Sequence, residues 1–302
     1  MRFLSRMSTA EKIAYVANFD SNTISVIDTN TNKVSATINS NVRPTVLATT
    51  PDHKFIYAVN SCSDNVSVID THSNLVISTI DVGKNPMGIA ITPNGKNVYV
   101  ANFNSNTVSV IDTCLNKVTF TIPVGSGPEG IAIRPDGRFV YVANYDHNNI
   151  SVIDTATNTI STNLPAGFGP AGLAVTPDNN FLFVTNTNTD NIYIINIQTN
   201  TLANIIPVNK HPRGIAITPD GSTAYVTNYL SNNLTVIDIS NFEIIHTIPM
   251  GNGPLKAAIT PDGKSVYVTS INSDYIYVVD TAVNTVCVKI SVGHNPYGVA
   301  IM

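Results

Sequence analysis

The chain has 302 residues, 43% of them hydrophobic and only 12% charged, which supplies a core and excludes intrinsic disorder. A net charge of −4, thinly spread, leaves no basic stripe for phosphate backbones and excludes nucleic acid as the expected partner. No apolar run approaches the ~18–20 residues of a membrane-spanning helix, so no transmembrane segment is expected.

The N-terminal MRFLSRMSTAEK holds two arginines but no apolar h-region and does not read as a secretory signal. Met7 serves equally well as a start, so localisation stays open. From Tyr15-Val16-Ala17-Asn18 onward one motif governs the chain. It returns at Tyr57, Tyr99, Tyr141, Phe183, Tyr225 and Tyr267, a constant step of 42 residues without insertion, and prolines at 44, 86, 128, 170, 212, 254 and 296 keep the same step. The repeat covers residues 9–302 as a single domain and leaves 1–8 as an N-terminal extension. A period near 40–45 with several short strands per unit is the pattern of a propeller blade.

Residues 86–127 show one unit. Gly88–Thr92 reads as an apolar strand, Pro93-Asn94-Gly95 as a turn, and Asn97–Asn102 as a second strand rich in β-branched and aromatic residues. Val108–Asp112 and Val118–Val124 make the third and fourth strands, and Gly125-Ser126-Gly127 crosses to the next proline. Four antiparallel strands in each of seven units, with no helix, predict an all-β, seven-bladed β-propeller, expected as a monomer. The chain ends at Asn295–Met302 on an inner-strand motif without its successor and begins at Ile13 on a second-strand motif without its predecessor. The C-terminal strand is therefore expected to close the ring against the three N-terminal strands, removing an edge.

These motifs (YVAN and YVTN, the TPDGK turn before VYV, SVIDT, and TIPVG before the proline) resemble the YVTN-repeat β-propeller family, which includes surface-layer and YncE-like proteins. The resemblance spans nearly the whole chain and implies the fold. Such proteins are often exported, and related propellers include both binding scaffolds and lyase or lactonase enzymes, so the fold does not by itself name a chemistry.

Residues at a constant phase serve the fold. Asp28, Asp70, Asp112, Asp154, Asp238 and Asp280 end third strands, with Asn196 in the remaining copy, and Asp52, Asp136, Asp178, Asp220 and Asp262 follow the turn prolines. Both sets are expected to accept backbone N–H bonds in turns. Asn32, Asn74, Asn116, Asn158, Asn200 and Asn284 suit a left-handed turn position, where Phe242 departs and predicts a turn of different shape. Cys62, Cys114 and Cys287, odd in number and without a CxxC, are expected as free thiols acting as small apolar fillers.

Function is expected where the repeat varies, at the end where chain enters the inner strands. The residue after each invariant proline reads Thr45, Met87, Glu129, Ala171, Arg213, Leu255 and Tyr297 and should rim the central channel. Glutamate is scarce (Glu11, Glu129 and Glu243 only), so Glu129 stands out. His147, His211 and His294 belong to loops at the same end, and by phase Phe19, Phe103, Tyr145 and Tyr229 are expected to form an aromatic collar. The candidate ligand contacts are thus Glu129, His147, His211, Arg213, His294, Tyr297, Tyr145 and Met87. Glu129 and Arg213, two blades apart, are expected to share one funnel without pairing directly. There is no GxSxG, HExxH, P-loop or Cys/His metal spacing, so neither a metal nor a cofactor is expected. The first reading is a non-catalytic scaffold that binds a small molecule, polysaccharide or protein at the channel mouth. The alternative is an enzyme of the lyase or lactone-hydrolase kind, with Glu129 or His147 as acid/base and Arg213 holding an anionic group.

Overall fold

A computed structural model of the protein describes residues 12–40 and 42–302; the eight-residue extension lies outside them. Among the described residues, twenty-eight strands, β1 to β28 in chain order, form seven four-stranded antiparallel sheets, and the one helical element is a 3₁₀ turn at Phe103–Ser105. In the second complete blade the strands are β8 (Pro86–Ile91), β9 (Asn97–Asn102), β10 (Thr107–Asp112) and β11 (Lys117–Pro123). Each agrees with its expected position within two residues. The inner strand starts earlier than expected because Pro86 itself pairs with Asn102 across the ladder. Proline is tolerated there because it is the first residue of its strand.

Ring closure follows the complementary ends. β28 (Pro296–Ile301) pairs antiparallel with β1 (Ile13–Asn18) in the register Ala14↔Ile301, Tyr15↔Ala300 and Val16↔Val299. β2 (Thr23–Asp28) and β3 (Lys33–Asn39) complete that sheet. Lys12 Nζ adds an ion pair across the adjoining blade boundary, 2.6 Å from Asp262 Oδ2.

The core lies between blades. Tyr99, Ala101, Val108, Val110 and Ile122 of one blade pack on Val140, Val142 and Ile153 of the next, and equivalent clusters fill the other boundaries. Second and third strands are thus buried on both faces, which explains uninterrupted apolar runs such as Val98-Tyr99-Val100-Ala101.

The phased polar residues work locally. Asp112 Oδ1 accepts the N–H groups of Cys114 and Leu115 at 2.9 Å, and Asp28, Asp70, Asp154, Asp238, Asp280 and Asn196 do likewise in their turns. The fully buried Asn102 donates through Nδ2 to Thr107 Oγ1 at 3.1 Å and Ser109 Oγ at 2.9 Å, fixing the second strand to the third. The three cysteines are exposed free thiols, not fillers of the core.

One tie joins neighbouring blades. Tyr57, Tyr99, Tyr225 and Tyr267 donate their phenol hydroxyls to Asn116, Asn158, Asn284 and Asn32, each in the third turn of the next blade, at 2.5–2.9 Å. Burial raises the phenols of Tyr57, Tyr99 and Tyr225 to about 12, so they stay protonated donors. In one further blade both partners differ together: Phe183 replaces the tyrosine and Phe242 the asparagine, and their rings meet edge to face at 6.2 Å. The turn at Phe242 does not change shape, contrary to expectation. Phe242 takes the same left-handed φ of 61° as the asparagines, with φ of 50–58°, and a second edge contact to Phe181 at 5.3 Å helps hold it there.

Candidate functional site

Each inner strand carries a register irregularity just after its proline. In β12 (Pro128–Ile133) the pairing jumps from Pro128↔Asn144 to Ile131↔Val142, in β20 (Pro212–Ile217) from Pro212 to Ile215, and in β24 (Pro254–Ile259) from Pro254 to Ala257. The two residues skipped in each ladder are free to turn away from the sheet, as bulges commonly do beside sites. Those residues are Glu129-Gly130, Arg213-Gly214 and Leu255-Lys256, and Glu129, Gly130, Gly214 and Lys256 line the central cavity of about 220 Å³.

Glu129 and Arg213 form a direct ion pair, which overturns the expectation that they stay apart. Arg213 Nη2 lies 3.1 Å from Glu129 Oε1 and Nη1 lies 3.5 Å from Oε2, a forked arrangement with side chains only 17% and 7% exposed. The arginine stem is long enough to span the intervening blade across a narrow mouth. Burial works against the Arg213 charge, but the Glu129 carboxylate, joined by Tyr297, Tyr145 and Tyr229, outweighs it and raises its pKa. Tyr297 is pushed up to about 12 by burial and then by Glu129, so its hydroxyl remains a donor. The guanidinium also sits 5.9 Å from the Tyr145 ring centroid.

The aromatic collar is real but paired off in segments: Phe19 with Tyr297 and Phe103 with Tyr145, each at 6.4 Å, and Tyr229 with His211 at 5.7 Å. His211 occupies a left-handed position, φ 63°, that the other described blades fill with glycine or asparagine except at Arg43. Its backbone N–H donates to Asp190 Oδ1 at 2.8 Å. Burial lowers its pKa first, and Arg213 lowers it further against the pull of Asp190 and Glu129. The ring is therefore neutral at pH 7.

The remaining candidates divide. Met87 lines the cavity, and its sulfur lies 3.7 Å from Ser61 Oγ. His147 is exposed, its Nδ1 3.5 Å from the Ser126 N–H, and His294, 77% exposed, pairs with Asp274 at 2.7 Å on the rim. Neither reaches the Glu129–Arg213 pair. Lys256 was missed by the sequence reading. The signal was present one residue after the variable position, where five blades carry glycine and only Val46 and Lys256 break the pattern.

The family described as lactonase, 7-bladed β-propeller, matches residues 5–119, 113–205 and 155–242, and the YncE-like β-propeller family matches residues 216–302. No match is found among curated proteins. Among solved structures, Kuenenia stuttgartiensis hydrazine synthase superposes with a TM-score of 0.82 at 26% identity, over 89% of this chain and 92% of that one. A functionally unknown protein from Desulfotomaculum acetoxidans gives 0.85 at 20% identity, over 96% and 98%. A proposed 6-phosphogluconolactonase from Bacteroides uniformis gives 0.82 at 18% identity, over 97% and 100%.

Proposed function

Because the chain belongs to the lactonase-type family of seven-bladed β-propellers, its last two blades carrying the YncE-like pattern, we propose that it is a binding ring holding a small molecule in its channel mouth, without catalysis. The observation that carries this reading is the buried Glu129–Arg213 fork coupled to Tyr297, with Glu129 lining a concave cavity. A ligand entering there meets a carboxylate, a guanidinium and a phenol donor at the head of a cavity whose wall combines glycine backbone with aliphatic side chains. Both Glu129 oxygens already face the guanidinium, so this carboxylate is not free to act as a general base.

A second reading, hydrolysis of a lactone, is favoured by the family description and by His211, a neutral imidazole beside Arg213. The test is a thermal-shift and calorimetric screen of sugar lactones and their open acids, beginning with glucono-1,5-lactone, alongside proton release at constant pH. The binding reading expects ligands that raise the melting temperature of the intact ring, lose that effect in Arg213→Ala, and are recovered unchanged. Saturable proton release that disappears in His211→Asn would replace it with the hydrolase reading.

A further inference from the structure

The inner strands run so close together at the glycine phase that side chains are excluded. A Cβ built on Gly88, Gly130, Gly172, Gly214 or Gly298 would fall 1.7–2.5 Å from a carbonyl oxygen of the next blade. Lys256 places a long cationic side chain at this phase, lining the central cavity. Among the described residues its ammonium has no hydrogen bond and no carboxylate within ion-pair distance. The nearest charges acting on it are Glu129, already forked by Arg213, and Arg213 itself. Two cations and one carboxylate leave one positive charge uncompensated at the channel, where Lys256 is part-buried. Such a charge is costly without a counter-ion. Burial accordingly drives the lysine pKa down, with Glu129 pulling it up and Arg213 pushing it further down. Beside Lys256 the same cavity is walled by Leu47, Ile89, Ile131, Leu173, Ile215 and Val299 together with the backbone of the phased glycines.

We propose that Lys256 anchors an anion site inside the channel and that its ligand is a compact organic carboxylate, the acid group on the ammonium and the body against the aliphatic ring. This names the ligand class for the channel-mouth reading and rests on it. An inorganic anion would satisfy the charge but leave the aliphatic wall unused. A cavity of about 220 Å³ matches a body of this size, since roughly 150 Å³ suffices for benzene.

The probe is benzoate, tested against neutral benzamide and inorganic phosphate by thermal shift and calorimetry on the whole chain. Benzoate should stabilise the wild-type ring, and benzamide and phosphate should not. Lys256→Met should bind benzoate at least about tenfold more weakly, or about 1.4 kcal/mol, while melting no lower than wild type in its absence, because it removes a desolvated charge. Lys256→Arg, which keeps the charge, should retain carboxylate-over-amide selectivity and guards against a folding artefact in the methionine variant. Equal stabilisation by benzamide, or by phosphate with none from benzoate, overturns the ligand class. Unchanged benzoate affinity in Lys256→Met, with affinity lost in Arg213→Ala, overturns the lysine site and leaves the channel-mouth reading standing. If neither substitution changes benzoate binding, both readings fall.

Discussion

The joint exchange of Tyr–Asn for Phe183–Phe242 can be reversed one residue at a time. Phe183 is fully buried, so Phe183→Tyr places a phenol hydroxyl against the Phe242 ring edge with no acceptor, at a cost of about 1–3 kcal/mol for an unsatisfied buried group. Phe242→Asn removes two edge-to-face contacts, each worth about 0.5–1.5 kcal/mol, but relieves a left-handed φ that costs a bulky residue roughly 1–2 kcal/mol. The second substitution alone should therefore be nearly neutral to mildly destabilising. Together they recreate the pair that Tyr225 and Asn284 make at 2.8 Å, restoring a bond worth about 1 kcal/mol and removing the unsatisfied hydroxyl. The double variant should be more stable than Phe183→Tyr alone, with a coupling energy of about 2 kcal/mol, well within the range for contacting residues. At roughly 2 °C per kcal/mol for a domain of this size, differential scanning calorimetry resolves the difference. If the double variant melts at or below Phe183→Tyr, the two positions do not form one inter-blade contact and the reasoning fails.

Deleting Pro296–Met302 removes β28 and uncovers Ala14 and Val16, both wholly buried, so the melting temperature should fall by about 10 °C or more, or the chain should aggregate. A midpoint within about two degrees of wild type would refute closure by this strand. His211 carries a pKa depressed below 6.5 in the fold, so the unfolded chain binds its proton more readily as pH drops below that value. The stability tied to neutral His211 is complete above pH 6.5 and is lost as pH falls through its folded pKa. His211→Asn, which suits the same φ of 63°, should flatten this acid-side loss; parallel melting curves for the two proteins from pH 7 down to 5 would contradict it.

The fold was legible because its code is periodic: a step of 42 without insertion reports blade count, strand order and the complementary ends at once. The turn aspartates and strand-ending asparagines were legible because each acts within a few residues of itself. What escaped was set by distances across the ring. Blade separation implied that Glu129 and Arg213 could not touch, whereas the reach of an arginine across a narrow mouth decides the matter. His147 and His294 share one end of the propeller with Glu129, but both are exposed, and phase does not encode side-chain burial. Phe242 broke the asparagine pattern without altering the backbone, because its compensation lies 59 residues away at Phe183, in another blade. Lys256 was hidden by attention to the most variable phase, when the more telling anomaly was a lysine among glycines.

The bulge after each inner-strand proline separates two inheritances within one domain. Ladder pairing and turn aspartates belong to the repeat, while the side chain at the bulge takes no part in the ladder. The ring therefore behaves as a dial with seven settings, each altered by a single codon without insertion or deletion. Moving a residue by one 42-residue step keeps its depth in the channel and only turns its bearing around the axis. New specificity can arise in such a protein by rotating existing chemistry to another spoke, so descendants of one ring could share a recognition pattern while sharing none of its residue positions.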